Sequence, residues 1–396
     1  MVPKGWEIKH LSELASKISD GIHKTPLYAD TSEIYFINGN NLKSGSIVIQ
    51  DSTKCVDEND AINHRKDLGV RTLLMSINGT IGNLAYYRGE NVVLGKSASY
   101  INIKDSVNLD FIYYVLSSSK TQAFYESELT GTTIRNLSIK SIKSTEILTP
   151  PLPEQKKIAQ ILSTWDKAIS VTEKLLTNSQ QQKKALMQQL LTGKKRLLDE
   201  NGVRFSGEWE KYSLEELESL QWIELGRGKV ISKKDILNMP GRYPIYSSSV
   251  KNGGLMGCYG MFMFDEELIS WSVDGGGDFF YRPKHKFSVT NVSGYMRVQC
   301  SKISYPFLAS QLQLQHSALE FDYQSKAHPS VIRKLYEVVL PELREQQKIA
   351  VVLSTADAEI STLEKKLACL KDEKKALMQQ LLTGKRRVKV DEAVAE

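Results

Sequence analysis

The chain has 396 residues, more than one ordinary hydrophobic core holds, so its length predicts two or three domains. Apolar residues make up 41% of the chain and charged residues 25%, which is typical of folded proteins and excludes wholesale disorder. There is no apolar run of about 18 residues and no apolar signal core near the start, so we expect neither a membrane span nor secretion. The four cysteines (Cys55, Cys258, Cys300 and Cys369) lie far apart, which indicates reduced thiols in a cytoplasmic protein.

The net charge of +6 comes from one part of the chain. Residues 154–198 carry nine basic and three acidic residues, and the other segments are close to neutral. A charge that is confined in this way is weak support for nucleic-acid binding when it is taken alone.

Residues 1–150 are predicted to form a mixed α/β domain. Alternating apolar and polar residues between glycine and asparagine turns indicate short strands in SEIYFINGNNL, GVRTLLMSINGTIGNLAYY and SASYINI. Residues 109–129 have helical spacing. A block of this size is large enough to bury its own core.

Residues 151–198 are predicted to contain a long coiled-coil helix. From Ile158 to Leu190, seam residues recur at alternating spacings of four and three, and Lys183 is the one break. Prolines precede the helix and Gly193 follows it, as helix boundaries favour. About 39 residues at about 1.5 Å each give a rod of roughly 58 Å.

The same plan then repeats. Residues 199–341 again alternate strand and turn patterns, with a helical segment at 307–321, and predict a second α/β domain. Residues 342–388 predict a second coiled-coil helix, whose seam is broken at Lys374, and 389–396 predict a flexible tail. Since a coiled-coil seam needs a partner, we expect the two long helices to pair antiparallel. The predicted fold class is therefore α+β, with two mixed α/β domains in tandem and an internal pseudo-twofold repeat.

The repeat is strongest in its helical part. Residues 154–196 align without a gap on 345–387, with 27 identities in 43 positions. A weaker echo opens each block, where Trp6-Glu7 matches Trp209-Glu210. A simple dimerisation rod is the alternative, but a rod does not need LMQQLLTGK twice. The duplication favours two copies of one partner.

The sequence offers no recognisable catalytic chemistry. LGKSAS (94–99) lacks the glycine spacing of a P-loop, and VDGGGDFF (273–280) does not follow the dinucleotide-binding pattern. No Asn-Pro-Pro-Tyr or Asp-Pro-Pro-Tyr segment of an adenine methyltransferase occurs, and the six histidines lack metal-ligand spacing. We therefore predict no catalytic, metal-binding or cofactor-binding residues in this chain.

The order of these segments resembles the specificity (S) subunit of type I restriction–modification systems over essentially the whole chain. The resemblance rests on Gly5-Trp6 and Trp209-Glu210 at the block starts, PPLPEQKKIA and LPELREQQKIA before the helices, and ALMQQLLTGK in both. Gly131-Thr132-Thr133 with Asn136-Leu137-Ser138 is also similar to that family. Its counterpart in the second half, KAHPSVIRK, departs from this pattern.

The resemblance implies a function in sequence-specific DNA recognition without catalysis. Each block would be a target recognition domain that reads one half of a split, asymmetric sequence in double-stranded DNA. The paired helices would set the unread gap and dock two methyltransferase (M) subunits, which carry S-adenosylmethionine. Restriction (R) subunits, which use ATP and Mg²⁺, would join through the complex.

Base reading requires amide, guanidinium and hydroxyl groups on loops that reach a groove. The first block offers the following candidates: His23, Lys24, Asn38, Asn40, Asn41, Asn78, Thr80, Thr132, Thr133 and Arg135. The second block offers another set: Arg227, Lys229, Ser247, Ser248, Ser249, Lys251, Asn252, Arg282, Lys284 and His285. For each residue the alternative is an exposed turn residue without a base contact.

Two other functions stay open at this point. One is a coiled-coil scaffold that joins two ligand-binding domains without touching DNA. The other is a solitary DNA-modifying enzyme with an unrecognised active site, against which the missing methyltransferase and nuclease motifs count.

Overall fold

The computed structural model describes residues 2–131, 135–249, 251–273, 278–319 and 327–390. The chain divides into two compact units, the first comprising Met1–Thr172 with Lys366–Glu396 and the second Glu173–Lys365. Each unit therefore combines one predicted block with the start of one long helix and the end of the other. Most of the predicted tail, 391–396, lies outside the described residues.

The first unit is built from short strands. They are β1 (Glu7–His10), β2 (Ala15–Asp20), β3 (Tyr28–Ala29), β4 (Tyr35–Ile37), β5 (Leu42–Lys43), β6 (Ser46–Ile47), β7 (Cys55–Val56), β8 (Thr72–Ser76), β9 (Leu84–Tyr86), β10 (Val92–Leu94), β11 (Ala98–Ile103) and β12 (Glu146–Thr149). Two four-stranded sheets have the orders β10-β4-β7-β3 and β2-β11-β8-β9. All five residues of β8 are buried, which fits the apolar character of its three central residues. β1 pairs antiparallel with β12, with Glu7 opposite Thr149.

Short helices cover these sheets. They are α1 (Leu11–Leu14), α2 (Glu58–Ile62), α3 (Leu109–Ser117), α4 (Ser119–Ser127) and α5 (Ile139–Lys143), with a 3-10 turn at Gly39–Asn41. The segment 109–129 thus forms two helices instead of one continuous helix. Ser118 has extended backbone angles and its hydroxyl accepts from the Thr121 amide, so it ends α3 and caps α4.

The second unit has a larger sheet. Its strands are β13 (Glu210–Ser213), β14 (Ile223–Arg227), β15 (Tyr243–Tyr246), β16 (Leu255–Tyr259), β17 (Phe264–Ser272), β18 (Phe279–Val289), β19 (Ser293–Val298) and β20 (Glu337–Leu340). Six of them form one sheet in the order β14-β19-β17-β18-β15-β16. β13 pairs antiparallel with β20, which repeats the β1–β12 pair of the first unit.

Four shorter helices and a 3-10 turn complete the second block. They are α7 (Leu214–Ser219), α8 (Lys233–Asn238), α9 (Tyr305–His316) and α10 (Pro329–Leu335), with the 3-10 turn at Lys251–Gly254. The segment KAHPSVIRK (326–334), of which Lys326 lies outside the described residues, contains most of α10, which the His328 side chain caps by accepting from the Ser330 backbone amide. Of the predicted helical segment 307–321, α9 covers residues 307–316, and residues 320 and 321 lie outside the described residues.

In both units the start of one long helix packs beside the end of the other. These are α6 (Leu152–Leu190) and, after α7–α10, α11 (Leu343–Leu381). In the first unit Ile158 of α6 shares a core with Leu381 of α11. In the second unit Leu190 of α6 shares a core with Ile349 of α11. The helices are therefore antiparallel, and the predicted fold class is confirmed.

Glycine ends both helices for a geometric reason. Gly193 and Gly384 follow α6 and α11 with φ of +70° and +68°, the left-handed region that favours glycine. Beyond Gly193, the Lys195 amide donates to the Gln189 carbonyl at 3.0 Å and closes the last turn. A Cβ at Gly193 would lie 3.5 Å from the Trp209 ring, an ordinary van der Waals distance, so the positive φ and not a lack of space favours glycine there.

Candidate functional site

A buried ion pair joins the two repeats in the second unit. The Arg196 guanidinium, after the end of α6, donates twice to the Glu345 carboxylate at the start of α11, at 2.6 Å each. The Trp209 indole donates to the same carboxylate at 3.3 Å, and the guanidinium lies 5.5 Å from the indole ring centre. Since Glu345 is fully buried, its charge depends on these donors. We call this arrangement a Trp–Glu–Arg clasp.

The first unit contains the same clasp. Arg387 donates to Glu154 at 2.7 and 2.8 Å, and the Trp6 indole donates to Glu154 at 3.0 Å. The Arg387 side chain is 45% exposed, against 20% for Arg196. Both tryptophans belong to the weaker echo that opens each block, whereas the acid and the arginine, which recur in the aligned repeat, were not predicted to pair. Each clasp takes its acid from one repeat and its arginine from the other, so alignment alone did not reveal the pairing.

Each lysine that breaks the predicted apolar seam forms an ion pair with an aspartate of the other long helix. Lys374 of α11 lies 2.5 Å from Asp166 of α6, and Lys183 of α6 lies 2.5 Å from Asp357 of α11. The two pairs occupy equivalent positions of the repeat. A charged residue within an apolar seam costs stability but fixes register, because only one alignment of the helices satisfies it.

The end of each long helix presents the same exposed side chains. Residues 183–194 and 374–385 are identical, KKALMQQLLTGK, whereas the six preceding positions of the two copies all differ. Gln188 and Gln189 are exposed, and so are Gln379 and Gln380. Internal packing does not require identity at exposed positions, so packing does not account for the identical glutamines. This pair of surfaces is called the duplicated glutamine surface below.

The structure places the candidate residues of the first block on neighbouring loops. The exposed ones are His23, Lys24, Asn40, Thr80 and Arg135. Asn38, Asn40 and Asn41 share the 3-10 turn before β5, and Gly39 in that turn approaches the Asn78 carbonyl oxygen. Asn78 in turn bridges to Asn136, the residue after Arg135. Thr132 and Thr133 lie outside the described residues.

Several of these side chains already have partners within the protein. His23 contacts Asp20 at 2.8 Å, and Arg135 lies 3.4 Å from Glu126. Asn41 is buried and donates to the Val48 carbonyl at 3.0 Å. Asn41 therefore shapes its turn, whereas Asn40 beside it is exposed.

The candidates of the second block cluster near one end of its six-stranded sheet. The exposed ones are Arg227, Lys229, Ser249, Lys251, Asn252 and Lys284. Lys229 bridges to Thr290, whose hydroxyl donates to Ser247 at 3.0 Å. Ser248 is partly buried, and so is His285, which stacks on Phe287.

Arg282 is buried among aromatic rings. Its guanidinium lies 3.7 Å from the Tyr246 ring centre, and it donates to the Ser270 hydroxyl at 2.8 Å and the Gly253 carbonyl at 2.6 Å. Burial lowers the pKa of Arg282 to about 10, so the group stays charged at neutral pH. Its contact with Gly253 supports the loop that carries Lys251 and Asn252.

The described residues contain no group of three or more histidine, cysteine, aspartate or glutamate side chains placed to hold a metal ion. All four cysteines are free. Within the same described ranges, no helix combines the length and hydropathy that crossing a lipid bilayer requires.

Sequence comparison gives the same family for both halves of the chain. The family model described as "Type I restriction modification DNA specificity domain" matches residues 3–178 and again 206–371. A Mycoplasma pneumoniae protein named as a type I specificity subunit is 30% identical over 226 residues, covering 56% of this chain and 78% of its own. A Methanocaldococcus jannaschii protein, named as the specificity subunit of the type I restriction enzyme MjaX, is 25% identical over 98% of this chain and 95% of its own.

Solved structures share the fold. The crystal structure of a type I restriction–modification S subunit from M. genitalium has a TM-score of 0.63 at 18% identity and covers 96% of both chains. A chain from a structure of type I restriction–modification complex assembly has a TM-score of 0.55 at 15% identity and covers 98% of this chain. With both halves matched by the family model, this chain belongs to the type I restriction–modification DNA specificity family.

Proposed function

We propose that this chain is the non-catalytic, DNA-reading subunit of a type I restriction–modification complex. Each of the two unlike blocks reads one half of a split, asymmetric target in double-stranded DNA. The family assignment supports this proposal, and so does the clustering of amide, hydroxyl and basic side chains on neighbouring loops of each block. Catalysis belongs to the partners, with S-adenosylmethionine in the M subunits and ATP and Mg²⁺ in the R subunits.

The duplicated glutamine surface carries the proposal for the partner. Two M subunits dock on it, one on each copy, because identical exposed residues offer the same contacts twice. R subunits join through the M subunits. We expect DNA affinity to be low for the chain alone, because phosphate contacts dominate affinity and the blocks are nearly neutral.

The α6–α11 pair sets the unread gap between the two half-sequences. Each helix has 39 residues, or about 58 Å at about 1.5 Å per residue. The Lys–Asp pairs of the seam support this role, since they oppose slippage of one helix along the other.

Matched glutamine pairs on α6 test partner docking. The double change Gln188→Glu with Gln189→Glu alters one copy of the duplicated glutamine surface and leaves the other intact. Light scattering should then show one M subunit per chain in place of two. The control, Gln181→Glu with Gln182→Glu, adds the same charges to the same helix at exposed positions that differ between the repeats. It should keep two M subunits, and equal losses in both variants would contradict the assignment.

Methylome sequencing tests the DNA-reading function. Cells that express the chain with its M subunit should carry methylated adenine in a split motif that is absent without the chain. A scaffold that does not read DNA is the competing function. It predicts methylation that does not depend on the recognition blocks.

A further inference from the structure

A cleft of about 220 Å³ opens in the first unit beside the Gly39–Asn41 turn. Tyr28, Asn40, Gln50 and Lys54 are among the residues that line it. Tyr28 is 40% exposed, and the Lys54 amine lies 4.4 Å from the centre of its ring. The cleft thus combines an aromatic wall, a cation and carboxamides.

The asparagines around this cleft divide into two kinds. The Asn38 side-chain oxygen accepts from the Ser97 hydroxyl at 2.8 Å, and the Asn41 side-chain oxygen accepts from the backbone amide of Asn38 at 3.0 Å. Both are therefore committed to holding the turn. Asn40 lies between them, is exposed, and its carboxamide has no hydrogen-bond partner among the described residues.

The side chains of Gln50 and Lys54 are likewise available to contact a ligand. The Gln50 backbone is fixed, because its amide donates to the Thr53 hydroxyl at 2.9 Å. Its exposed carboxamide makes no hydrogen bond to any residue of the described ranges. Nor does a described carboxylate lie within ion-pair distance of Lys54. The turn and the loop thus present to the same cleft two carboxamides without hydrogen-bond partners among the described residues and one ammonium group that contacts the Tyr28 ring but has no ion-pair partner there.

We propose that this cleft is a base-reading site of the first recognition domain. The Asn40 carboxamide, with Gln50 beside it, takes the edge of one adenine, and Lys54 takes an adjoining phosphate. A carboxamide presents one donor and one acceptor, which match N7 and the exocyclic amine of adenine in the major groove. A lysine is a suitable point charge for phosphate. The assignment rests on the proposed function and specifies which of its candidate residues reads a base.

The test uses the complex with its M subunit and DNA in which 7-deazaadenine replaces one adenine of the first half-sequence at a time. The target adenine of methylation is left unchanged. Asn40→Ala removes the whole bidentate contact, so the affinity for unmodified DNA should fall about 5- to 150-fold. Loss of N7 at one position removes only one of the two hydrogen bonds, so it should weaken binding to the wild-type complex by a smaller factor, and this 7-deazaadenine effect should disappear in Asn40→Ala. Asn59→Ala, an exposed asparagine of the same unit outside the cleft, should keep the effect.

Lys54→Gln gives an independent readout. It should weaken binding to target and scrambled DNA alike and reduce the slope of log affinity against log salt by about one. If no adenine position loses its 7-deazaadenine effect in Asn40→Ala, the base-reading assignment is wrong even though the complex still selects its split motif. If the wild-type complex shows no sequence preference at all, the proposed function fails as well.

Discussion

The two Trp–Glu–Arg clasps contain the same kind of ion pair at two degrees of burial, so the effect of burial on its stability can be compared within one protein. Among the described residues, Arg196→Met in the second unit leaves the fully buried Glu345 carboxylate with the Trp209 indole as its remaining side-chain donor. Removing one partner of a buried pair costs about 3–5 kcal/mol. Arg387→Met in the first unit should cost clearly less, because the Arg387 side chain is 45% exposed and water can take its place beside Glu154.

Native-state hydrogen exchange measures the two losses separately. Slowly exchanging amides of the β13–β20 pair report on the second unit, and those of the β1–β12 pair report on the first. Adding Glu345→Gln to Arg196→Met should recover part of the loss, since a neutral amide costs less to bury than an unpaired charge. Equal losses in the two units, or a loss below about 1 kcal/mol for Arg196→Met, would refute the burial argument.

Three further predictions follow from the paired helices. Four residues inserted within 178–184 lengthen α6 by about 6 Å, so methylome sequencing should show an unread gap in the DNA target that is longer by at most about two base pairs, with unchanged half-sequences. An unchanged gap with full activity would mean that the helices only brace the protein. Asp166→Ala leaves the Lys374 amine without its ion-pair partner and the buried Tyr114 hydroxyl without its acceptor, so Lys374→Leu added to it should restore only the part of the stability loss in urea unfolding that the unpaired amine causes. A fragment of residues 1–196 should dimerise, with Glu154 of one copy binding Arg196 of the other. Together with M subunits, this dimer should methylate a palindromic split site, and methylation of the original asymmetric site by the fragment would contradict the prediction.

The helical architecture was accessible from the sequence because it is local. The alternating four-three spacing and the glycines after each helix predicted α6 and α11 within a few residues of their observed bounds. The break at Ser118 was missed because the apolar spacing continues through it while a single side-chain cap ends the helix. The pairing of Glu345 with Arg196 was missed because it joins residues 149 positions apart in the chain.

The candidate site was only partly predictable. Polar loop composition identified Asn38, Asn40 and Asn41 together but does not reveal which carboxamides fold the turn and which one is free. Gln50 and Lys54 were missed because they reach the cleft through a separate loop that carries no distinctive pattern. Tertiary contacts, which a single sequence does not contain, decide both points.

The exchange of helix ends between the units has a consequence for biosynthesis. The core of the first unit includes Leu381 and Leu382, and its clasp needs Arg387, all close to the end of the chain. A nascent chain on the ribosome therefore has all the residues of the second unit before it has those of the first, although the first block is made earlier. Premature termination shortly before residue 381 should consequently expose apolar surface on the block farthest from the stop codon, and quality-control proteases should begin their cleavage there.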